Sequence, residues 1–144
     1  MATNWAGNVK FGDSRVLLPT TVGELQAMVR DSRRVRARGT AHSFSHIADT
    51  TDACIKLDSM PHEISIDPEK QVVTVSAHTQ YGNLATRLHA EGWAVHNLAS
   101  LPHISVGGAI ATGTHGSGVT NGNLSTSVRG LHLVAADGSL RILQ

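Results

Sequence analysis

Cysteine is almost missing from this sequence. Cys54 stands alone, which excludes an intrachain disulfide and a thiol-rich metal site. Its neighbours in Ala53-Cys54-Ile55 are apolar, so it reads as a small buried side chain rather than a reactive thiol. A basic stripe is missing as well. The formal net charge is +1, and Lys and Arg are scattered apart from Arg33, Arg34, Arg36 and Arg38. Alternation sets Arg34, Arg36 and Arg38 on one face of a strand, a solvated face, so no nucleic-acid partner is expected. No apolar run is long enough to span a bilayer, and Met1-Ala2-Thr3-Asn4-Trp5 has neither the basic nor the apolar region of a signal peptide. No membrane partner is therefore expected, and the default location is cytoplasmic. There is no internal repeat and no biased tract of the kind that stays disordered.

What is present is one domain's worth of chain, 144 residues, with 14 glycines and 9 histidines, many of them between His96 and Gly122. Thr21-Val22-Gly23-Glu24 forms a capping box, and it predicts a helix as the first ordered element, burying Val22, Leu25, Met28 and Val29. A strand through Val35 and Ala37 follows and ends at Gly39. Ala53–Leu57 is a short strand. Ile64–Ile66 and Val72–Val75 flank Asp67-Pro68-Glu69-Lys70 as a hairpin. A second helix runs from about Tyr81 to Glu91, burying Leu84, Ala85 and Leu88, with Gly92 at its C-terminal cap. A last hairpin turns at Asp137-Gly138. Helices mixed with antiparallel hairpins, without a regular βαβ rhythm, indicate an α+β domain. The second strand of that hairpin is barely established at Gln144, which predicts an N-terminal fragment of a longer protein.

Two segments carry chemistry. The first, Arg38-Gly39-Thr40-Ala41-His42-Ser43-Phe44, follows a strand directly. Its glycine permits a sharp turn whose N–H groups can face an anion, Thr40 and Ser43 add hydroxyls, and His42 supplies a base, ligand or nucleophile. By itself such a turn is more often an ordinary surface loop. The second runs from Ser100 to Gly118. Ser105 is placed to cap a short helix through Ala111, leaving free amides for a phosphate. Gly113, Gly116 and Gly118 let backbone pass close to a ligand, with Thr112, Thr114 and Ser117 as donors. A segment this long and glycine-rich is costly to order without a ligand, which favours binding over a plain turn. Neither segment matches the dinucleotide fingerprint or a phosphate loop ending in Gly-Lys-Ser/Thr. His103 and His115 lack a nearby carboxylate or cysteine, so no metal is expected. Ser43 beside His42 is not a nucleophile pair.

Thr3-Asn4-Trp5-Ala6-Gly7-Asn8, Gly39–Phe44 and Ser100–Gly118 together resemble the vanillyl-alcohol-oxidase-type flavoproteins, which carry a PCMH-type FAD-binding domain. Within them the likeness is to alditol (xylitol) oxidases, with sugar-lactone oxidases next. The resemblance implies two α+β lobes, roughly 1–66 and 67–144, with FAD between them and a substrate domain beyond. It implies cofactor contacts from Gly39, Thr40, Ala41, His42, Ser43 and Phe44, and from Ser100, Ser105, Gly107, Thr112, Gly113, Thr114, His115, Gly116 and Gly118. His42 stands where the family commonly bonds the flavin 8α carbon, and Ser100 where a residue lies near the flavin and the substrate hydroxyl. The implied reaction is oxidation of a polyol hydroxyl with O2 reduced to H2O2, by a monomer acting on a polyol or sugar-derived substrate. A sugar-1,4-lactone oxidase or dehydrogenase, or a flavin-binding fragment inactive by itself, are the alternatives. One position departs from the family: relatives often have glycine before the histidine, and this chain has Ala41. A positive φ there would cost alanine about 1–2 kcal/mol.

Overall fold

The computed structural model describes residues 2–144, which divide into two compact units. One comprises the residues up to Met60 together with Val128–Gln144, and the other Pro61–Ser127.

The first unit is built on a three-stranded parallel sheet of order β1-β3-β2, from β1 (Arg15–Leu17), β2 (Val35–Ala37) and β3 (Ala53–Ile55). In register, Arg15 and Val35 both face Ala53, and Leu17 and Ala37 both face Ile55. The central strand is wholly buried, Cys54 included. Burial pushes the Cys54 thiol up, which fits the inert role expected from its neighbours. Strand β1 precedes the helix expected to come first. Three residues show no usable alternation, and only pairing with β3 makes them a strand.

Helix α1 (Val22–Arg30) begins at Thr21, whose hydroxyl accepts from the Glu24 N–H at 3.1 Å. The reciprocal arm lands one residue early, because the Glu24 carboxylate accepts from the Thr20 N–H (2.8 Å) and hydroxyl (2.9 Å). These bonds, the Thr20 backbone N–H foremost, hold the Glu24 carboxyl below its usual range. Val29 is buried, Leu25 and Met28 are half-buried, and Val22 is exposed, so the apolar face is narrower than its spacing suggests. Gln26 donates to the Gly138 carbonyl at 2.8 Å, tying α1 to the turn of the hairpin β6 (Leu131–Val134) and β7 (Leu140–Leu143). Leu131, Leu133, Leu140, Ile142 and Leu143 of that hairpin are exposed.

Asp52 gathers the starts of all three parallel strands. Its carboxylate accepts from the Arg15 guanidinium (2.8 Å) and from the Arg34 N–H (3.1 Å), and its carbonyl from the Ser14 and Arg15 N–H groups. The Arg15 hydrogen bond, then the Arg34 N–H, holds the carboxyl below the usual aspartate range. A folded value below the unfolded one means that the unfolded chain takes up the proton first. The stabilisation is therefore complete above the ordinary aspartate range and is lost as pH falls through the depressed value. Glu24, Asp49, Asp67 and Asp137 are shifted the same way. Below about pH 4, the melting temperature of the wild-type chain is expected to fall more steeply than that of Asp52→Asn. Parallel melting curves would deny Asp52 this role.

The second unit packs the hairpin β4 (Ile64–Asp67) and β5 (Val72–Val75) with helix α2 (Tyr81–Ala90) and helix α3 (Val106–Ala111). Tyr81, Leu84 and Leu88 of α2 meet Ile104, Ala109 and Leu124 in its core, and Ile64, Ile66, Val73 and Val75 pack against them. Gly92 ends α2 at φ +79°, as a C-terminal cap requires. Among the described residues no helix is long and apolar enough to cross a membrane.

Candidate functional site

Loop 39–44 leaves the C-terminal end of β2, and the residue before it is not solvated. Arg38 is 7% exposed, which corrects its expected place on an open arginine face. The pleat does set it on the side of Arg36, but the sheet there is covered by the segment that carries Phe11 and Asp13. The guanidinium lies 3.5 Å from the Phe11 ring centroid, pairs with the Asp13 carboxylate, and reaches the Ala48 carbonyl at 3.4 Å. This buried pair fixes the point from which the loop departs.

The loop itself is held from the N-terminal segment. Residues 3–10 form a small antiparallel turn closed by the Thr3–Lys10 bridge. From it the Trp5 N–H donates to the Ala41 carbonyl (2.8 Å), the Asn4 carboxamide to the Ser43 carbonyl (2.9 Å), and the Asn8 carboxamide to the Phe44 carbonyl (3.1 Å). Asn4 is 3% exposed. Its amide also donates to Asn8 Oδ1 (2.7 Å), while its side-chain carbonyl accepts from the Val9 N–H (3.0 Å). Ala41 adopts φ +58°. The strain expected of an alanine at this position is therefore present, at about 1–2 kcal/mol, and one of the three bonds falls on the carbonyl of the residue that bears it, the other two just beyond. His42 is half-buried, its ring stacked on Trp5 (centroids 5.4 Å, interplanar angle 25°) and its Nδ1 3.0 Å from the Thr40 hydroxyl. Phe44 is exposed. The sequence marked the 3–8 stretch only through family likeness. A Gly7 turn flanked by two asparagines was the available local signal, but their targets lie 36 and 39 residues away.

In the second unit, α3 forms where expected with Ser105 at its N-cap position, but its first amides are not free. The Val106 N–H donates to the Thr79 carbonyl (2.8 Å) and the Gly107 N–H to the Ala77 carbonyl (2.7 Å). The strand-like pairing of Gln80 with Ser105 brings these carbonyls against the helix start, so those two donors serve packing and not a phosphate. A side chain at Gly107 would press on Ala77. Beyond α3 the chain is more open. Thr112 and Thr114 share a hydroxyl contact at 3.1 Å, and His115 Nδ1 lies 2.9 Å from the Gly116 carbonyl. Gly113 takes φ +65° with open space where a side chain would stand. Asn97, which the sequence did not single out, donates to the Ser117 carbonyl at 3.2 Å and joins the strand of chain leading to Ser100 to the glycine-rich turn. Ser100 and Leu101 are exposed.

The fold is one found in solved oxidase structures. A chitooligosaccharide oxidase structure superposes with a TM-score of 0.83 at 19% identity, over 97% of this chain and 31% of that one. Cholesterol oxidase from B. sterolicum gives the same TM-score and identity, over 97% and 30%. The chain belongs to the FAD binding domain family, whose model matches residues 14–144. Alditol oxidase of Streptomyces sp. (strain IKD472 / FERM P-14339) is 47% identical over 140 residues, covering 95% of this chain and 34% of the relative. L-gulonolactone oxidase of Mus musculus is 34% identical over 141 residues, covering 95% and 32%. The chain thus spans about a third of the length of the curated relatives it matches.

The residues fit a flavin dinucleotide. In the first unit an imidazole is held by Trp5 and Thr40, two positions before the exposed side chain of Phe44, a setting for a flat, partly apolar ring system. In the second, the backbone at Gly113 is open to close approach, while the Thr112 hydroxyl donates to the Gly108 carbonyl at 3.0 Å and is met by the Thr114 hydroxyl at 3.1 Å.

Proposed function

We propose that this chain is the flavin-binding part of an FAD-dependent oxidase that converts a polyol hydroxyl to a carbonyl, with the flavin bonded covalently to His42. The observation that carries the proposal is the held imidazole of His42 in a chain so similar to an alditol oxidase. When bound, FAD supplies the two-electron acceptor for the substrate C–H bond and passes the electrons to O2 as H2O2.

The protein's part is position and polarity. Thr40 and Trp5 orient the His42 ring that would anchor the cofactor. Gly39, Ala41, Ser43 and Phe44 shape the loop around it. Thr112, Gly113, Thr114, His115, Gly116 and Gly118 present hydroxyls and backbone to the cofactor, and Ser105 and Gly107 brace that segment from α3. Ser100, which is exposed, is assigned by family likeness to the flavin and the substrate hydroxyl. A base for the hydroxyl proton would come from the further length that the relatives have, so the 144 residues alone are expected to bind flavin without rapid turnover. Similarity to L-gulonolactone oxidase supports a second reading, a sugar-lactone substrate at the same site.

The test is to supply FAD, denature in acid and look for flavin fluorescence in the protein band. Fluorescence that survives acid in the wild-type chain and is absent from His42→Ala is the expected result. Complete release by acid would overturn the covalent bond, and failure to bind FAD before denaturation would overturn the whole proposal.

A further inference from the structure

Asn4 stands out because it is a buried amide whose every polar atom is directed at loop-forming partners. Its carbonyl oxygen serves the Val9 N–H and so closes its own turn. Its NH2 group donates outward, to Asn8 Oδ1 and to the Ser43 carbonyl immediately after His42. Asn8, fixed in this way, donates to the next carbonyl, that of Phe44. The Trp5 N–H grips the carbonyl immediately before His42, and the Trp5 ring stacks on the imidazole. The carbonyls of the residues on either side of His42, Ala41 and Ser43, are therefore tied to a single turn that contributes no nucleophile of its own. Ala41, at φ +58°, would relax if those ties were released.

We infer that Asn4 is a positioning residue for covalent flavin attachment, holding the His42 loop in the conformation from which the imidazole reaches the flavin methyl carbon. The inference rests on the proposed attachment at His42. In that reaction one C–H bond of the flavin methyl group and the imidazole N–H bond break, and a C–N bond forms. The two electrons and two protons released pass to O2, giving H2O2. Asn4 takes no part in the bond changes; it sets how often the ring nitrogen is within reach. Displacement of such a group by about 1 Å costs up to roughly a hundredfold in rate.

Asn4→Asp keeps the acceptor for the Val9 N–H and replaces both donations, to Ser43 and Asn8, by a buried carboxylate oxygen facing those acceptors. Attachment is followed in the chain over a range of FAD concentrations, by acid-stable fluorescence, alongside thermal melting. The expected result is a maximal attachment rate at least roughly tenfold lower, with the FAD concentration for half-maximal rate changed less than about twofold. A residue needed only for folding would lower both melting temperature and FAD affinity without this split. Asn8→Ala, at an exposed position, is expected to slow attachment in the same sense with melting almost unchanged, and it decides the matter if Asn4→Asp does not fold. Wild-type rates in the folded variants would overturn the role of Asn4 while leaving attachment at His42 intact. A wild-type chain that binds FAD but never bonds it would overturn both.

Discussion

Asp13→Ala is expected to destabilise the first unit by about 3–5 kcal/mol, the largest loss predicted for a single side chain in this molecule. Asp13 and Arg38 form a buried ion pair, with side chains 7% and 5% exposed respectively. Removing the carboxylate leaves a guanidinium sealed under Phe11, with the 3.4 Å approach to the Ala48 carbonyl as its remaining hydrogen bond. Among the described residues no group pairs with Arg38 Nε even in the wild-type chain, so the site has no reserve acceptor. The cost comes from the stranded charge more than from the lost attraction. Asp13→Leu combined with Arg38→Met removes both charges and is therefore expected to be milder than Asp13→Ala alone. Urea unfolding of the three chains measures this order. A loss under about 1 kcal/mol for Asp13→Ala would show that water reaches the guanidinium and that the pair is not the anchor of loop 39–44.

Gly116→Ala is expected to open the glycine-rich turn. A methyl group there would collide with the Leu98 carbonyl oxygen and Asn97 Oδ1, and would lie 2.8 Å from Asn97 Cγ. The carbonyl is backbone, and the Asn97 amide is held by its bonds to the Leu98 N–H (2.9 Å) and the Ser117 carbonyl (3.2 Å), so neither yields cheaply. Overpacking of this kind costs about 1–3 kcal/mol, and it separates the chain at Asn97–Leu98 from the turn at 115–118. Gly113→Ala is the informative comparison. Its methyl group would meet nothing, and only the φ of +65° opposes it. Both variants should melt earlier, but Gly116→Ala should lose more FAD affinity, by roughly tenfold or more, because it displaces two candidate segments at once. FAD titration of both variants tests this. Equal affinities would mean that the contact between 97–98 and 116–117 does not shape the cofactor site.

The elements readable from sequence are those whose cause is local. The α1 cap, the β4–β5 and β6–β7 hairpins and the Gly92 stop each depend on residues a few positions apart, where backbone geometry and short hydrogen bonds decide the outcome. The positive φ at Ala41 was foreshadowed only through family likeness, as the position before the histidine where glycine is common. The 3–8 stretch, the loop of His42 and the glycine-rich segment pointed to the family through residue type and order.

Tertiary structure decided what depends on partners distant in sequence. Arg15–Leu17 is a strand only because β3 lies beside it, and Arg38 is buried only because Phe11 and Asp13 fold across it. The first amides of α3 are occupied only because Ala77 and Thr79 arrive there. The bonds from Asn4 and Asn8 to the loop of His42 close gaps of 39 and 36 residues. A donor's partner at that separation is set by how the chain packs, and one sequence read along its length carries no term for it.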